Sequence, residues 1–378
     1  MAITNYFMLK NIKIENFKSI KDQNIDLKNL NVLIGQNGAG KSNFISLFKF
    51  LERLVEQQLF DYIFNLGGIN NFLFNGFENS EFIKIFLEFS PNPNASNVYN
   101  FNIKSSGEDY IFSEEYIGFW NKSYNDPFKY DITGNRKEAE LKTYKDRAGN
   151  GQSIAKYVCD FLKDLKVFHF HDTSDNASLK VPQDIDDVYF FKNEAENIAP
   201  FLLNLKNTDS NTYNLILEVV RLVYPVFNDF ELQESPTSKG KIVLRWTEKG
   251  SNNIFSVKQI SDGTIRFICL ATLLLQPEKS IYVPDTLILD EPELGLHPFA
   301  IHVLTELIKK AAIKRQIIIA TQSVTLVNHF EPEDLLIAER NENGETVFKR
   351  KSNDSLKEWL EDYTIGELWE NNFIGGRP

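Results

Sequence analysis

Gly35-Gln36-Asn37-Gly38-Ala39-Gly40-Lys41-Ser42 is the stretch on which the reading of this chain turns. It fits the pattern G-x-x-x-x-G-K-[ST], in which glycines let backbone N–H groups converge on phosphate oxygens with no Cβ in the way. The pattern has meaning only between a strand and a helix, and the flanks supply both. Leu30 to Ile34 (LNVLI) reads as a short apolar strand that stops at Gly35. From Lys41 to Gln57 the apolar residues Phe44, Ile45, Leu47, Phe48, Leu51 and Leu54 recur at three- and four-residue spacing, which predicts an amphipathic helix. Such a helix turns the positive end of its dipole toward a bound phosphate. Lys41 is then the cation that reaches the β- and γ-phosphates, and the Ser42 hydroxyl is a candidate ligand for Mg²⁺.

Three further segments carry chemistry. In Leu287-Ile288-Leu289-Asp290-Glu291-Pro292 an apolar strand delivers adjacent carboxylates at its C-terminal end, the edge at which open α/β sheets bind ligands. Asp290 is placed to hold Mg²⁺, and Glu291 to polarise an attacking water as general base. Ile260-Ser261-Asp262-Gly263-Thr264 opens a predicted helix with a hydroxyl and bare N–H groups, a small anion site or an ordinary N-cap. Ala320-Thr321-Gln322-Ser323 follows the strand QIIIA and offers a polar side chain to a γ-phosphate, or a plain cap.

Around these motifs the chain alternates strand and helix. LKNIKIENF (9–17) reads as a strand burying Ile12, Ile14 and Phe17, and Phe82 to Phe89 as another. Residues 91–150, rich in Asn, Ser, Gly and Lys, read as short strands with mobile loops. Helices are expected over 152–165, 211–224, 264–275 and 298–312, and strands at IVLRW (242–246), TLILD (286–290), QIIIA (316–320) and 335–339. The fold class expected is α/β: a mostly parallel core sheet flanked by helices, an antiparallel β subdomain, and an inserted helical subdomain. The lobes expected are 1–150, with the phosphate loop; 151–275, ending in the Ser-Asp-Gly-Thr turn; and 276–378, with the acid strand.

Composition limits the partners. The chain has 378 residues and a net charge of −11, so any nucleic-acid footprint must be a local patch. Cys159 and Cys269 are too few for a disulfide scaffold. No apolar run approaches the ~18–20 residues that cross a bilayer, and the N-terminus does not read as a signal peptide. These features predict a cytoplasmic protein without a membrane partner.

The ordered set NIKIENFKSI near the start, GQNGAGKSN (35–43), QISDGTIRF (259–267), LILDEPELGLHP (287–298) and ATQS (320–323) resembles the ABC-type ATPases of the RecF and SMC head class, and more closely the bacterial ATPases related to the overcoming-lysogenization-defect (OLD) proteins. The likeness extends weakly through VFHFHDTS (167–174) and FIGGRP (373–378) and is loose from about 91 to 160. It implies an ATP-binding, ATP-hydrolysing head that dimerises around Mg-ATP. Each ATP would then touch the phosphate loop of one copy, with Asn43, Lys18 and Ser19 nearby, and the signature turn Ser261, Asp262, Gly263 and Thr264 of the other. Glu293 and the LGLHP turn would match the segment at the dimer seam. Gln322 stands where the family usually has His, which implies slower or differently gated hydrolysis; SDGT in place of the transporters' SGGQ argues against a transporter motor. The family's Mg²⁺-sensing glutamine has no counterpart that we can place. OLD-like proteins carry a nuclease domain after the switch segment, and the 55 residues beyond Ser323 leave no room for one, so an effector or nuclease is expected on another polypeptide. By this analogy the role leans toward antiphage defence or DNA metabolism, with assembly beyond the dimer left open. Two rivals remain: a weakly hydrolysing sensor that holds a toxic partner, and a RecF-like mediator that binds DNA.

Other residues have plainer readings. His169 and His171 lack further ligands at metal-site spacing and read as a strand end. Cys159 reads as a buried small hydrophobe. Lys309, Lys310, Lys314 and Arg315 read as a solvated helix end, with a phosphate-backbone contact as the functional alternative.

Overall fold

The computed structural model describes residues 8–92, 94–107, 109–147, 149–236, 238–277 and 280–377. A six-stranded sheet forms its centre, in the order Thr346–Arg350, Leu335–Arg340, Leu30–Ile34, Gln316–Ala320, Thr286–Asp290 and Lys166–Phe168. Five strands run parallel; only Thr346–Arg350, at one edge, is antiparallel. Successive side chains of a strand point to opposite faces, and both faces here are covered. Val32, Ile317, Ile319, Leu287 and Leu289 enter one apolar cluster, with the helices Ile198–Thr208, Ser210–Val223, Asp262–Leu274 and Pro298–Ala312. Leu33, Ile318, Ile288 and Leu336 enter the other, with the helix Lys41–Glu56. That is why these strands read as unbroken apolar runs rather than as alternations.

A second six-stranded sheet is antiparallel and runs Ile20–Asp26, Leu9–Phe17, Phe82–Asn92, Ala95–Ser106, Asp109–Asn121 and Phe128–Asp131. The helix Lys41–Glu56 lies between the two sheets, with Phe50 edge-on to Phe17 at 5.5 Å and stacked on Phe101 at 6.3 Å. The expectation of short pieces over 91–150 is corrected here, because two strands of 12 and 13 residues dominate that stretch. Tyr99, Phe101 and Ile103 alternate into the core, while Asn100 and Asn102 hide the pattern on the other face. Cross-strand pairing, not local propensity, makes these strands.

Glu115 shows how the region is fastened. It is fully buried, and its carboxylate accepts hydrogen bonds from the Tyr99 hydroxyl (2.8 Å), Glu140 N (2.8 Å) and Leu141 N (3.1 Å). Burial nonetheless pushes its pKa up to about 7. The stability it confers is therefore complete in acid and is lost as pH rises through about 7. Glu115→Ala strands three buried donors and is expected to cost about 3 kcal/mol, read as a lower urea midpoint at unchanged slope.

The inserted stretch carries helices as expected, but also two three-stranded antiparallel sheets. IVLRW is not one strand. Ile242 ends Ser238–Ile242 in one small sheet, Trp246 lies within Arg245–Glu248 of the other, and Leu244 between them is buried without pairing. An apolar run marks burial, and burial does not require a ladder. Gln152–Lys163 packs Val158, Cys159 and Leu162 into the cluster of the helix Lys41–Glu56. No helix among the described residues is long and apolar enough to cross a membrane.

Candidate functional site

All five parallel strands end at one edge of the central sheet, and three of the four motifs hang from the consecutive ends of Leu30–Ile34, Gln316–Ala320 and Thr286–Asp290. Gly35 to Gly40 forms the loop between Leu30–Ile34 and Lys41–Glu56. Gly35 and Gly40 have positive φ, 152° and 111°. A Cβ on Gly35 would lie 2.3 Å from the Ala338 carbonyl, and one on Gly40 would lie 2.2 Å from Thr346 Oγ1, so the hairpin 335–350 packs too closely for any side chain. Thr346 Oγ1 donates to Ala39 O (2.9 Å), and Arg340 Nε donates to Gly38 O (2.9 Å). Gln36, Asn37, Gly38 and Ser42 are exposed at the mouth of the loop.

Lys41 is 6% exposed and donates from Nζ to Gly35 O (2.5 Å) and Gln36 O (3.3 Å). Burial lowers its pKa, and the carboxylates of Glu291, Asp290 and Glu293 oppose that shift. The cation thus sits between the loop and the acid strand. Ser19 is buried beneath the loop; its hydroxyl hydrogen-bonds Thr346 Oγ1 (2.7 Å) and accepts from Asn43 Nδ2 (2.6 Å). Ser19 and Asn43 therefore brace the loop from below. Lys18, at φ 51°, stacks its ammonium on Phe72 at 5.2 Å, and burial lowers its pKa.

Asp290 pairs in register with Ala320 of the next strand, and burial raises its pKa. Glu291 then turns into the left-handed region, φ 43°, fixed by Glu291 N donating to Ala320 O at 2.8 Å. A non-glycine residue held there costs about 1–3 kcal/mol, the kind of local strain that clusters at active sites. The turn aims Glu291 at Gln322, whose backbone N and Nε2 donate to its two carboxylate oxygens at 3.1 and 2.9 Å. Two residues named separately in the sequence thus form one unit. Glu293 departs from the expectation of a seam position: it is 7% exposed and turned inward, accepting from Thr321 Oγ1, while Leu294, Gly295, His297 and Pro298 of the turn that follows are exposed.

The Ser261–Thr264 turn caps the helix Asp262–Leu274: Thr264 N donates to Ser261 Oγ at 3.2 Å. Ser261 and Asp262 are exposed and Gly263 is half-exposed. A Cβ on Gly263 would come within 2.3 Å of Gly295 O, so the helix Asp262–Leu274 rests backbone to backbone on the turn that follows Glu291. Gly263→Ala must push the two apart and is expected to destabilise the fold by about 1–3 kcal/mol, measured by thermal unfolding.

Arg266 is a residue the sequence reading passed over. It donates to the carbonyls of Phe170 (3.0 Å), His171 (2.9 Å) and Leu294 (3.1 Å), tying the helix Asp262–Leu274, the strand-end histidines and the turn together. The only signal for it is a lone cation in an otherwise apolar helix. His171 Nε2 lies 2.9 Å from Asp290 O and His169 Nε2 lies 3.6 Å from Glu194. Among the described residues no group of three or more His, Cys, Asp or Glu is arranged to hold a metal ion. Arg315 leaves the proposed basic cluster: it is 2% exposed and donates to Pro277 O (2.5 Å) and Pro284 O (2.9 Å).

The fold matches that of solved SMC head domains. An SMC head bound to the C-terminal winged-helix domain of ScpA superposes with a TM-score of 0.60 over 93% of this chain and 99% of that one, at 14% identity. An SMC head with an extended coiled coil, bound to the C-terminal domain of ScpA derived from Pyrococcus furiosus, superposes with a TM-score of 0.60 over 94% and 99%, at 13% identity. Residues 30–328 match the family described as "AAA domain, putative AbiEii toxin, Type IV TA system", and the chain belongs to that family, AAA_21.

Proposed function

We propose that this chain is an ATPase that binds Mg-ATP in the phosphate loop of one copy, closes it with the Ser261–Thr264 turn of a second, and uses hydrolysis as a conformational switch. The observation that carries the reading is the juxtaposition of Lys41 with Glu291 and Asp290 beside an exposed glycine loop. The residues present fit the ligands. Glycine is required at Gly35 and Gly40, an uncommitted hydroxyl stands at Ser42, and a carboxylate stands at Asp290. Ser42 and Asp290 would hold Mg²⁺, which when bound neutralises charge on the phosphate oxygens. The loop amides and Lys41 bind and orient the β- and γ-phosphates, and Glu291 takes the proton of the attacking water.

Ser261, Asp262 and Gly263 are open to a second copy and rigidly coupled, through Gly295 and Arg266, to the turn after Glu291. Sedimentation of the purified chain tests the sandwich: a shift from monomer to dimer on adding Mg-ATP supports it, and an unchanged distribution at saturating nucleotide refutes it.

A slow, gated form of the same activity is favoured by one contact. Gln322 engages both oxygens of Glu291, and an amide carries no charge to a γ-phosphate. Turnover then waits on whatever pulls Gln322 away. A role in defence agrees with the family's description, which names the AbiEii toxin of a type IV toxin–antitoxin system, and with the OLD-like motifs; the effector this switch would hold or release is read from the OLD-like motifs alone. Steady-state phosphate release with and without DNA separates this role from a DNA-binding mediator.

A further inference from the structure

Glu293 is the buried carboxyl that the reaction above does not use, and the inference drawn from it rests on the ATPase reading. Its Oε1 accepts from Thr321 Oγ1. Ser323 N donates to that same hydroxyl at 2.9 Å, so the single hydroxyl hydrogen of Thr321 is committed to Glu293. Oε2 is buried and meets no donor among the described residues. The side chain within hydrogen-bonding reach is another acid, Glu291. Two ionised carboxylates in such contact repel, and a buried oxygen without a donor is costly to desolvate. One proton on Glu293 removes both problems, because the orphaned oxygen becomes a donor and Glu291 becomes its acceptor.

We propose that Glu293 is a positioning residue, present as the neutral acid, whose O–H donates to the Glu291 carboxylate and holds it facing the candidate phosphate site. Gln322 holds Glu291 with two N–H groups in the resting state, and Glu293 is the partner that keeps Glu291 in place once Gln322 is pulled away. Among the described residues, the charged groups that act with Glu293 are Glu291 on its own turn and Lys41 from the phosphate-loop helix; the segment 321–323 brings hydroxyls and an amide. Burial first, and Glu291 after it, push the pKa of Glu293 up to about 8, so it keeps its proton at neutral pH and loses it just above. Once ionised, it repels Glu291 and the phosphates together.

The test is the pH dependence of kcat at saturating Mg-ATP in the full chain. Wild type is expected to decline above about 8. Glu293→Gln, whose amide donates at every pH, is expected to lack that decline. Glu293→Ala is expected to lower kcat roughly tenfold across the range with little change in KM, the loss of one hydrogen bond to a charged group. Superimposable profiles for wild type and Glu293→Gln would overturn the proposal. Infrared pH-difference spectra of the nucleotide-free protein give a readout that needs no turnover: wild type is expected to show a carboxylic-acid C=O band that disappears near pH 8 and is missing in Glu293→Gln. Glu115, the other carboxyl raised to about 7, is common to both proteins and cancels. A chain that hydrolyses no ATP yet shows the band sinks the ATPase reading and keeps the proton on Glu293; a chain without the band sinks this proposal whatever its ATPase rate.

Discussion

Lys41→Ala is expected to weaken ATP binding by about 100-fold or more, measured by titrating a fluorescent ATP analogue. Two charge-assisted hydrogen bonds from an ammonium to phosphate, each worth about 1.5–3 kcal/mol, account for that loss. The site makes it large, because Lys41 is buried between the loop carbonyls and the carboxylates of Glu291 and Asp290. Without it, Glu291 and Asp290 face a polyanion with no fixed cation beside them. The fold should survive, since the loop is also held by Thr346, Arg340 and the close approach of Gly35 to Ala338. Unchanged affinity in a folded Lys41→Ala variant would remove nucleotide binding at this loop from consideration.

Glu291→Gln should do the opposite to binding and more to chemistry. Loss of a general base costs about 10²–10⁴-fold in turnover. The amide keeps the volume of the side chain and one acceptor oxygen. Gln322 donates from its backbone N and, with its own amide reversed, accepts from the new NH₂, so the strained turn at φ 43° keeps its partners. ATP should stay bound unhydrolysed and the dimer should accumulate, which sedimentation with Mg-ATP would show as a persistent heavier species. Full turnover by this variant would move the general base elsewhere.

The candidate site was legible because its chemistry is local. A glycine loop must lie between a strand and a helix, and a strand that ends in Asp290 and Glu291 announces an acidic edge; each signal fits within a dozen residues. The role of Glu293 was not legible. One residue's difference in the turn sends it inward to Thr321 while Leu294 faces out, and no pattern of residue types records that choice. Arg266 was passed over for the same reason: three of its four partners are backbone carbonyls of segments about 28 to 96 residues away, and carbonyls carry no sequence signature. The antiparallel sheet was misread as short pieces because Asn-rich faces weaken the alternation. Its strands exist by pairing with one another and by stacking Phe101 on Phe50.

By itself the sequence determined the glycine loop between a strand and a helix, the acid strand, and the helix that opens at Ser261, since each follows from the geometry of a few consecutive residues. The tertiary structure alone decided the rest: that Gln322 grips Glu291, that Glu293 turns into the protein, and that Arg266 ties the helix Asp262–Leu274 to the acid turn. Those contacts join strand ends that are neighbours only once the parallel sheet has formed, and the register of that sheet is set by burial on both faces rather than by any motif.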